Sequence, residues 1–189
     1  MVPSQSNDYK SLLRNKLQQA RLNLSDSNRR LKSRTITEKL IRMPVFIKSK
    51  NLLTYVALPD EVATRPIVRT ALRSGKNVFV PAVDFAGKQI KIYQIHDWKK
   101  DLRRSSFGIL EPRRIRERLG NPKKLDFVVV PGVGFDRQGG RLGRGGGFFD
   151  RFLKKAKSAQ KIGIAFREQM LPRIPMNRSD VRMDGVITD

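Results

Sequence analysis

The chain has 189 residues, with 40 Lys and Arg against 17 Asp and Glu, a formal net charge of +23 and no cysteine. That length fits a single domain, residues 1–189, able to bury a core without staples. The missing thiols exclude disulfides, thiolate nucleophiles and cysteine-bound metals.

The cation excess points to anionic ligands or polyanions, or to a plain solvated basic surface. A single histidine, His96, leaves little material for His-dependent triads or His metal clusters, and its plain reading is a surface or strand-end imidazole. No apolar run approaches the ~18 residues that cross a bilayer, and the start, MVPSQSNDYK, lacks the apolar core of a signal peptide. The expectation is a soluble, cytoplasmic protein without a membrane partner.

Residues 8–24 read as a helix, with Leu13, Leu17, Ala20 and Leu24 on one face. Lys10, Arg14 and Arg21 form a separate basic stripe, which on its own is ordinary helix surface. Ser25 or Ser27 can cap a second helix running to about Met43, where Pro44 ends it, with Leu31, Ile36, Leu40 and Ile41 inward. Asn51 to Ala57 is a buried strand, followed by a Pro59–Asp60–Glu61 loop. A helix begins at Thr64 and Pro66 and stops at Gly75, and a strand from Asn77 to Val80 is ended by Pro81. This strand–helix–strand unit predicts a parallel pair with a crossover helix.

Gln89 to Ile95 is a further strand, with Ile90 and Ile92 on one face. Residues 99–124 carry ten Lys/Arg against three Asp/Glu and read mostly as loop. Phe127 to Val130 is a strand stopped by Pro131 and Gly132. Lys161 to Phe166 is another strand, residues 171–181 a loop, and Val186 to Thr188 a short last strand. The order predicts a three-layer α/β domain with a largely parallel sheet, in which ligands sit at the C-terminal ends of strands. Two loops qualify, Pro59–Glu61 and Gly139–Gly147.

The stretch from Leu125 to Leu153 reads strand, glycine-rich loop, helix. Six glycines in the nine residues from Gly139 to Gly147, interleaved with Arg141 and Arg144, offer bare N–H groups and charge-assisted donors to a phosphate or carboxylate. The alternative is a flexible hairpin-like loop whose glycines meet turn geometry. A P-loop is excluded, because no Lys-Ser or Lys-Thr follows the glycines. The dinucleotide fingerprint fails too, because Phe148 stands where its third glycine belongs. Asp150 has two readings, a first-turn acid on a helix dipole or a ligand for Mg²⁺ on bound phosphates, with Asp180 a second candidate if the last loop folds back.

This stretch resembles the 5-formyltetrahydrofolate cyclo-ligase family (5,10-methenyltetrahydrofolate synthetases). PGVGFDRQGGRLGRGGGFFDRFL is similar to the family's P-G-x-x-F-D-x-x-G-x-R-L-G-x-G-x-G followed by two aromatics and Asp. Lys10-x-x-x-Arg14, Leu58 to Thr64, Phe107 to Pro112 and IGIAFREQM with SDVRMDGVIT extend the likeness over nearly the whole chain. The resemblance implies an α/β/α sandwich, Rossmann-like, and an MgATP-dependent conversion of 5-formyltetrahydrofolate to 5,10-methenyltetrahydrofolate, ADP and phosphate through a phosphorylated formyl oxygen. It implies catalytic roles for Arg141 and Arg144. It implies that Lys10, Arg14 and the run Arg141, Leu142, Gly143, Arg144, Gly145, Gly146, Gly147, Phe148 and Phe149 contact ATP. Val56 and Glu61 would line the folate site together with Arg144 to Phe148, and Asp150 and Asp180 would hold Mg²⁺.

Many members carry Tyr where this chain has Phe148 and Phe149, and Arg144 occupies a position that varies. The implied partner is a folate, polyglutamylated or not, with the protein a monomer or weak dimer. A nucleic-acid-binding protein is the competing reading of the charge, but no recognition helix or aromatic platform supports it. An inactive relative of the family is a third.

Overall fold

The strand–helix–strand unit is built as its pattern predicts. β1 (Asn51–Leu53) lies parallel to β2 (Asn77–Asp84), with the helix Arg65–Arg73 between them in sequence. The computed structural model describes residues 4–105 and 108–189, with side chains from Asp8 onward. Phe107 of the Phe107–Pro112 block, and residues 1–3 of the N-terminal segment, lie outside the described residues.

In chain order the helices are α1 (Ser4–Leu22), α2 (Asp26–Ile41), α3 (Pro44–Lys48), α4 (Arg65–Arg73) and α5 (Phe148–Leu153). After β1 and β2 come β3 (Gln89–Ile95), β4 (Leu102–Arg104), β5 (Leu110–Pro112), β6 (Phe127–Val130), β7 (Gly134–Asp136) and β8 (Arg141–Leu142). The last strands are β9 (Gln160–Ile164), β10 (Met170–Leu171) and β11 (Gly185–Ile187). The central sheet has the order β11-β9-β6-β1-β2-β3 and is parallel except for the β2–β3 pair. A second sheet, β10-β7-β8, and the β4–β5 ribbon stand apart from it.

All four residues of β6 are buried, which is the burial of a strand covered on both faces. Phe127 and Val129 pack with Ile36, Leu40, Phe46, Ile67 and Val68 from α2, α3 and α4. Val128 and Val130 face the other way, onto Phe135, Phe152 and Leu153 from β7 and α5. Each fully buried Ile or Val of α4 contributes about 1.5–3 kcal/mol by leaving water. The three layers are therefore unequal, since one outer layer combines a short helix with a small sheet.

Several sequence expectations shift. Leu31 is 65% exposed, because the inward face of α2 is Ser33, Ile36, Thr37 and Leu40, spaced i, i+3, i+4, i+7. Ser25 is the cap, its side chain accepting from the Asn28 N–H. Pro44 both follows α2 and opens α3 as its first residue, where its missing N–H is harmless. Leu24 lies beyond the end of α1. Strand β1 stops at Leu53 rather than Ala57. β2 runs through Pro81 to Asp84: past Phe79 its only strand neighbour among the described residues is β3, so a strand paired on one side tolerates the proline. Residues 99–124 contain the β4–β5 ribbon rather than loop alone.

Sequence runs from β1 to β2 on one side of β1, then from β6 through β9 to β11 on the other. The strand order therefore reverses between β1 and β6, and the crevice at their C-terminal ends is where this architecture takes ligands. The Pro59–Glu61 and Gly139–Gly147 segments follow these two strands.

Candidate active site

The glycine-rich segment is partly a hairpin. β7 and β8 pair antiparallel, and Asp136 organises their turn from a buried position. Its Oδ1 accepts from the Gln138 and Gly140 N–H groups at 2.9 and 2.7 Å, and its Oδ2 from the Ile174 N–H at 2.7 Å. Gly139 has φ +81°, and a Cβ there would lie 2.3 Å from the Met183 carbonyl oxygen. Gly139 thus serves the turn, as the second reading of the glycines has it. Gly147, at φ +63°, turns the chain into α5.

Arg141 is buried and turned inward. Its Nη2 donates to Asp150 Oδ2 at 2.8 Å, its Nη1 to the Pro131 carbonyl at 3.3 Å, and the guanidinium lies 5.9 Å from the Phe149 ring centroid. Asp150 Oδ1 accepts from the Val181 N–H at 3.2 Å. The first-turn acid of α5 is thus the counter-ion of Arg141 and a tether for the C-terminal loop. That loop does fold back: Asp180 Oδ2 accepts from Lys10 Nζ at 3.1 Å and from the Asn177 N–H at 2.8 Å.

The basic stripe of α1 is not idle surface. Lys10 meets Asp180, Arg14 Nε donates to the Gly143 carbonyl at 2.8 Å, and Arg21 pairs with Asp60. Arg21 is only 2% exposed, and its Nη1 lies 3.7 Å from Glu61 Oε1. From the other side, the exposed Arg144 reaches over with Nη2 at 2.9 Å from the same Glu61 oxygen. Glu61 Oε2 accepts from the Leu58 N–H at 3.0 Å. Burial pushes the Tyr55 hydroxyl well above its ordinary pKa; the Glu61 charge adds to this and Arg21 opposes it.

These elements enclose a cleft of about 630 Å³, within the range of small-molecule sites. Lys10, Arg14, Val56 and Glu61 line it, as do all residues from Arg141 to Asp150, and Asp180. Every residue that the family resemblance assigns to the ATP, folate or Mg²⁺ site therefore lines one cleft. Sequence reasoning missed Arg151, which also lines the cleft. It donates to the Lys88 and Gly146 carbonyls and stands 4.9 Å from the Phe148 ring, whose edge contact is Phe85 at 5.9 Å. Its position one turn after Gly147 was the available signal. His96 is exposed and away from the cleft lining, as its plain reading has it.

Among the described residues, no three His, Asp or Glu side chains cluster as a metal cage. Asp150 and Asp180 supply two carboxylates on one cleft wall beside Lys10 and Arg141. Two carboxylates completed by phosphate oxygens and water are a donor set that suits Mg²⁺.

Residues 6–189 match the 5-formyltetrahydrofolate cyclo-ligase family. The chain is 31% identical to the 5-formyltetrahydrofolate cyclo-ligase of Mus musculus over 190 residues, covering 96% of this chain and 94% of that one. It is 25% identical to the 5-formyltetrahydrofolate cyclo-ligase of Haemophilus influenzae, covering 93% and 95%. Among solved structures, the 5,10-methenyltetrahydrofolate synthetase of Aquifex aeolicus is 37% identical and superposes with a TM-score of 0.81, covering 94% of this chain and 88% of that one. With a family match over nearly its whole length, and a cleft formed by the segments that carry the family's motifs, the chain belongs to the 5-formyltetrahydrofolate cyclo-ligase family.

Proposed function

We propose that this protein uses MgATP to close 5-formyltetrahydrofolate to 5,10-methenyltetrahydrofolate, releasing ADP and phosphate. The observation that carries the reading is the convergence of α1, the Pro59–Glu61 loop, the glycine-rich hairpin and the Asp180 loop on one cleft at the sheet's switch point. Formyl oxygen is a poor leaving group. Transfer of the γ-phosphoryl group to it makes that oxygen a phosphate ester; N10 then attacks the formyl carbon and gives up its proton to solvent, and the C–O bond breaks with phosphate as the leaving group. The protein's part is positioning and charge stabilisation.

On this reading Lys10, Arg14 and Arg141 are the cations facing the phosphates, with the backbone from Leu142 to Phe149 around them. Arg141 enters oriented by Asp150 and Phe149, so little reorganisation is needed as charge develops. Arg144 spans to the folate side, where Val56 contributes an apolar wall and Glu61 accepts substrate N–H groups. Asp150 and Asp180 would hold Mg²⁺, which supplies charge neutralisation on the phosphates. Phe148 and Phe149 provide ring contact without a hydroxyl. The net charge of +23 favours capture of anionic folates, polyglutamylated ones included. We further propose a cytoplasmic setting and a monomer or weak dimer, in keeping with a cysteine-free chain of this size.

Incubating the protein with 5-formyltetrahydrofolate, ATP and Mg²⁺ and following the near-ultraviolet absorbance of the methenyl product tests the reading. ATP-dependent product is expected, and its absence overturns the proposal.

A further inference from the structure

Glu61 has two cationic neighbours of opposite character. Arg144 is on the glycine-rich loop, with a side chain 59% exposed. Arg21 is on α1, with a side chain 3% exposed, and it pairs with Asp60 as well as approaching Glu61. An exposed arginine flanked by glycines exchanges freely with solvent and with incoming donors, and such a pair is worth little. A buried guanidinium shared between two carboxylates does not leave, because no water replaces its partners.

We infer that Arg21 is the positioning residue for Glu61: it holds the Glu61 carboxylate aimed into the cleft so that the folate's N–H groups find an acceptor already in place. The inference rests on the folate reading of the site. Three further observations support it. Glu61 and Asp60 are adjacent carboxylates, 11% and 18% exposed, and without Arg21 they would repel each other in a poorly solvated loop. The loop is otherwise tied down from below, by the Thr64 hydroxyl to the Tyr55 carbonyl at 2.7 Å and the Tyr55 hydroxyl to the Val62 carbonyl at 3.3 Å. Those ties fix the backbone; the Leu58 N–H holds one Glu61 oxygen, Oε2, at 3.0 Å, and Arg21 is the buried group at the other, Oε1. Arg21 Nε, meanwhile, has no hydrogen-bond partner among the described residues, so the guanidinium is committed through its two terminal nitrogens to this loop.

The charged and titratable groups facing Glu61 are Arg21 from α1, Arg144 from the glycine-rich loop, and Asp60 and Tyr55 from its own segment. Removing Arg21 leaves one exposed cation against two adjacent carboxylates. A positioning role therefore separates the KM values of the two substrates, which a merely structural role for Arg21 does not.

The test is steady-state kinetics on the full chain for wild type, Arg21→Gln, Arg21→Lys, Glu61→Gln and the Arg21→Gln/Glu61→Gln double variant. Arg21→Gln is expected to raise KM for 5-formyltetrahydrofolate about tenfold, as for one lost charge-assisted acceptor. KM for ATP should stay within about twofold. Lys10 and Arg14 sit on the same helix and face the ATP side, so damage to α1 would raise KM for ATP as well. Arg21→Lys keeps the charge but loses the fork, and should fall between wild type and Arg21→Gln; it carries the test if the glutamine variant does not fold. The double variant should match Glu61→Gln alone, because Arg21 acts through Glu61. An active wild type whose Arg21 variants leave KM for the folate unchanged, or raise it equally on the Glu61→Gln background, overturns the inference alone. A wild type with no ATP-dependent product overturns the folate reading and the inference with it.

Discussion

Lys10 and Asp180, 170 residues apart in the chain, are joined Nζ to Oδ2 at 3.1 Å. The contact closes one wall of the cleft by linking the first helix to the last loop, and it sets a cation beside a carboxylate where phosphates and Mg²⁺ are proposed to sit. Lys10→Ala is expected to raise KM for ATP roughly ten- to hundredfold, the loss of a hydrogen bond to a charged group. Asp180→Asn is expected to raise the Mg²⁺ concentration needed for half-maximal rate, and EDTA to abolish turnover until Mg²⁺ is restored. Initial rates over a Mg²⁺ titration check both, and an unchanged requirement in Asp180→Asn removes that residue from the metal site.

Arg141 is more deeply placed than a flexible phosphate clamp. Truncation to Ala removes the partner of Asp150 and the cation over Phe149. The variant is expected to stay folded, lose about 1–3 kcal/mol of stability and lose ATP-dependent turnover. Thermal melting read together with kcat separates the two effects; Arg141→Lys, with charge but no fork, should recover stability better than activity.

Gly139→Ala places a methyl group against the Met183 carbonyl in a left-handed backbone conformation. A destabilisation of about 2–4 kcal/mol is expected, because the atoms the methyl meets are all Met183 backbone, with no side-chain end that can swing away. Urea unfolding measures it. An effect below about 0.5 kcal/mol, the size of an ordinary surface change, would contradict the close approach.

The ion pairs of Lys32 give stability a two-sided pH dependence. Burial by itself raises the Asp189 carboxyl, but the Lys32 ammonium and the Arg167 N–H outweigh it and hold the pKa below the ordinary 3.8. Burial by itself lowers Lys32, but Asp189 and Glu168 outweigh it and hold the pKa above the ordinary 10.5. A depressed acid contributes stability above its unfolded pKa and loses it as pH falls through the folded one. A raised base contributes below its unfolded pKa and loses it as pH rises through the folded one. The cluster therefore stabilises fully between the two ordinary values and fades at both extremes. Lys32→Met should lower the melting temperature at pH 7 and flatten both flanks of its pH profile.

Much of the fold could be read from short-range pattern. The β1–α4–β2 unit followed from a buried run, a proline in the first helical turn and Gly75. The same reasoning misjudged Pro81, because whether a proline is tolerated depends on how many neighbours its strand has, and β1 ends beside Phe79. It placed Leu31 inward, because a helix with a polar inner face at Ser33 and Thr37 gives a weak apolar period. In the glycine-rich stretch, residue type and spacing pointed to an anion site or a hairpin-like loop, yet local pattern did not reveal that buried Asp136 is the residue that organises the hairpin.

By itself, then, the sequence determined most element types, the family and the motif residues that line the cleft, since these follow from periodicity, turn chemistry and motif spacing, but not Arg151 or the β4–β5 ribbon. Only the tertiary structure decided which charge faces which. Arg141 turns to Asp150, Lys10 to Asp180, and Arg21 disappears beneath Asp60 and Glu61. The reason is physical. An apolar face must be buried wherever the chain goes, so its pattern is local. A charged side chain settles on whichever counter-ion the fold brings within a few ångströms, and for Lys10 and Asp180 that counter-ion lies at the other end of the chain.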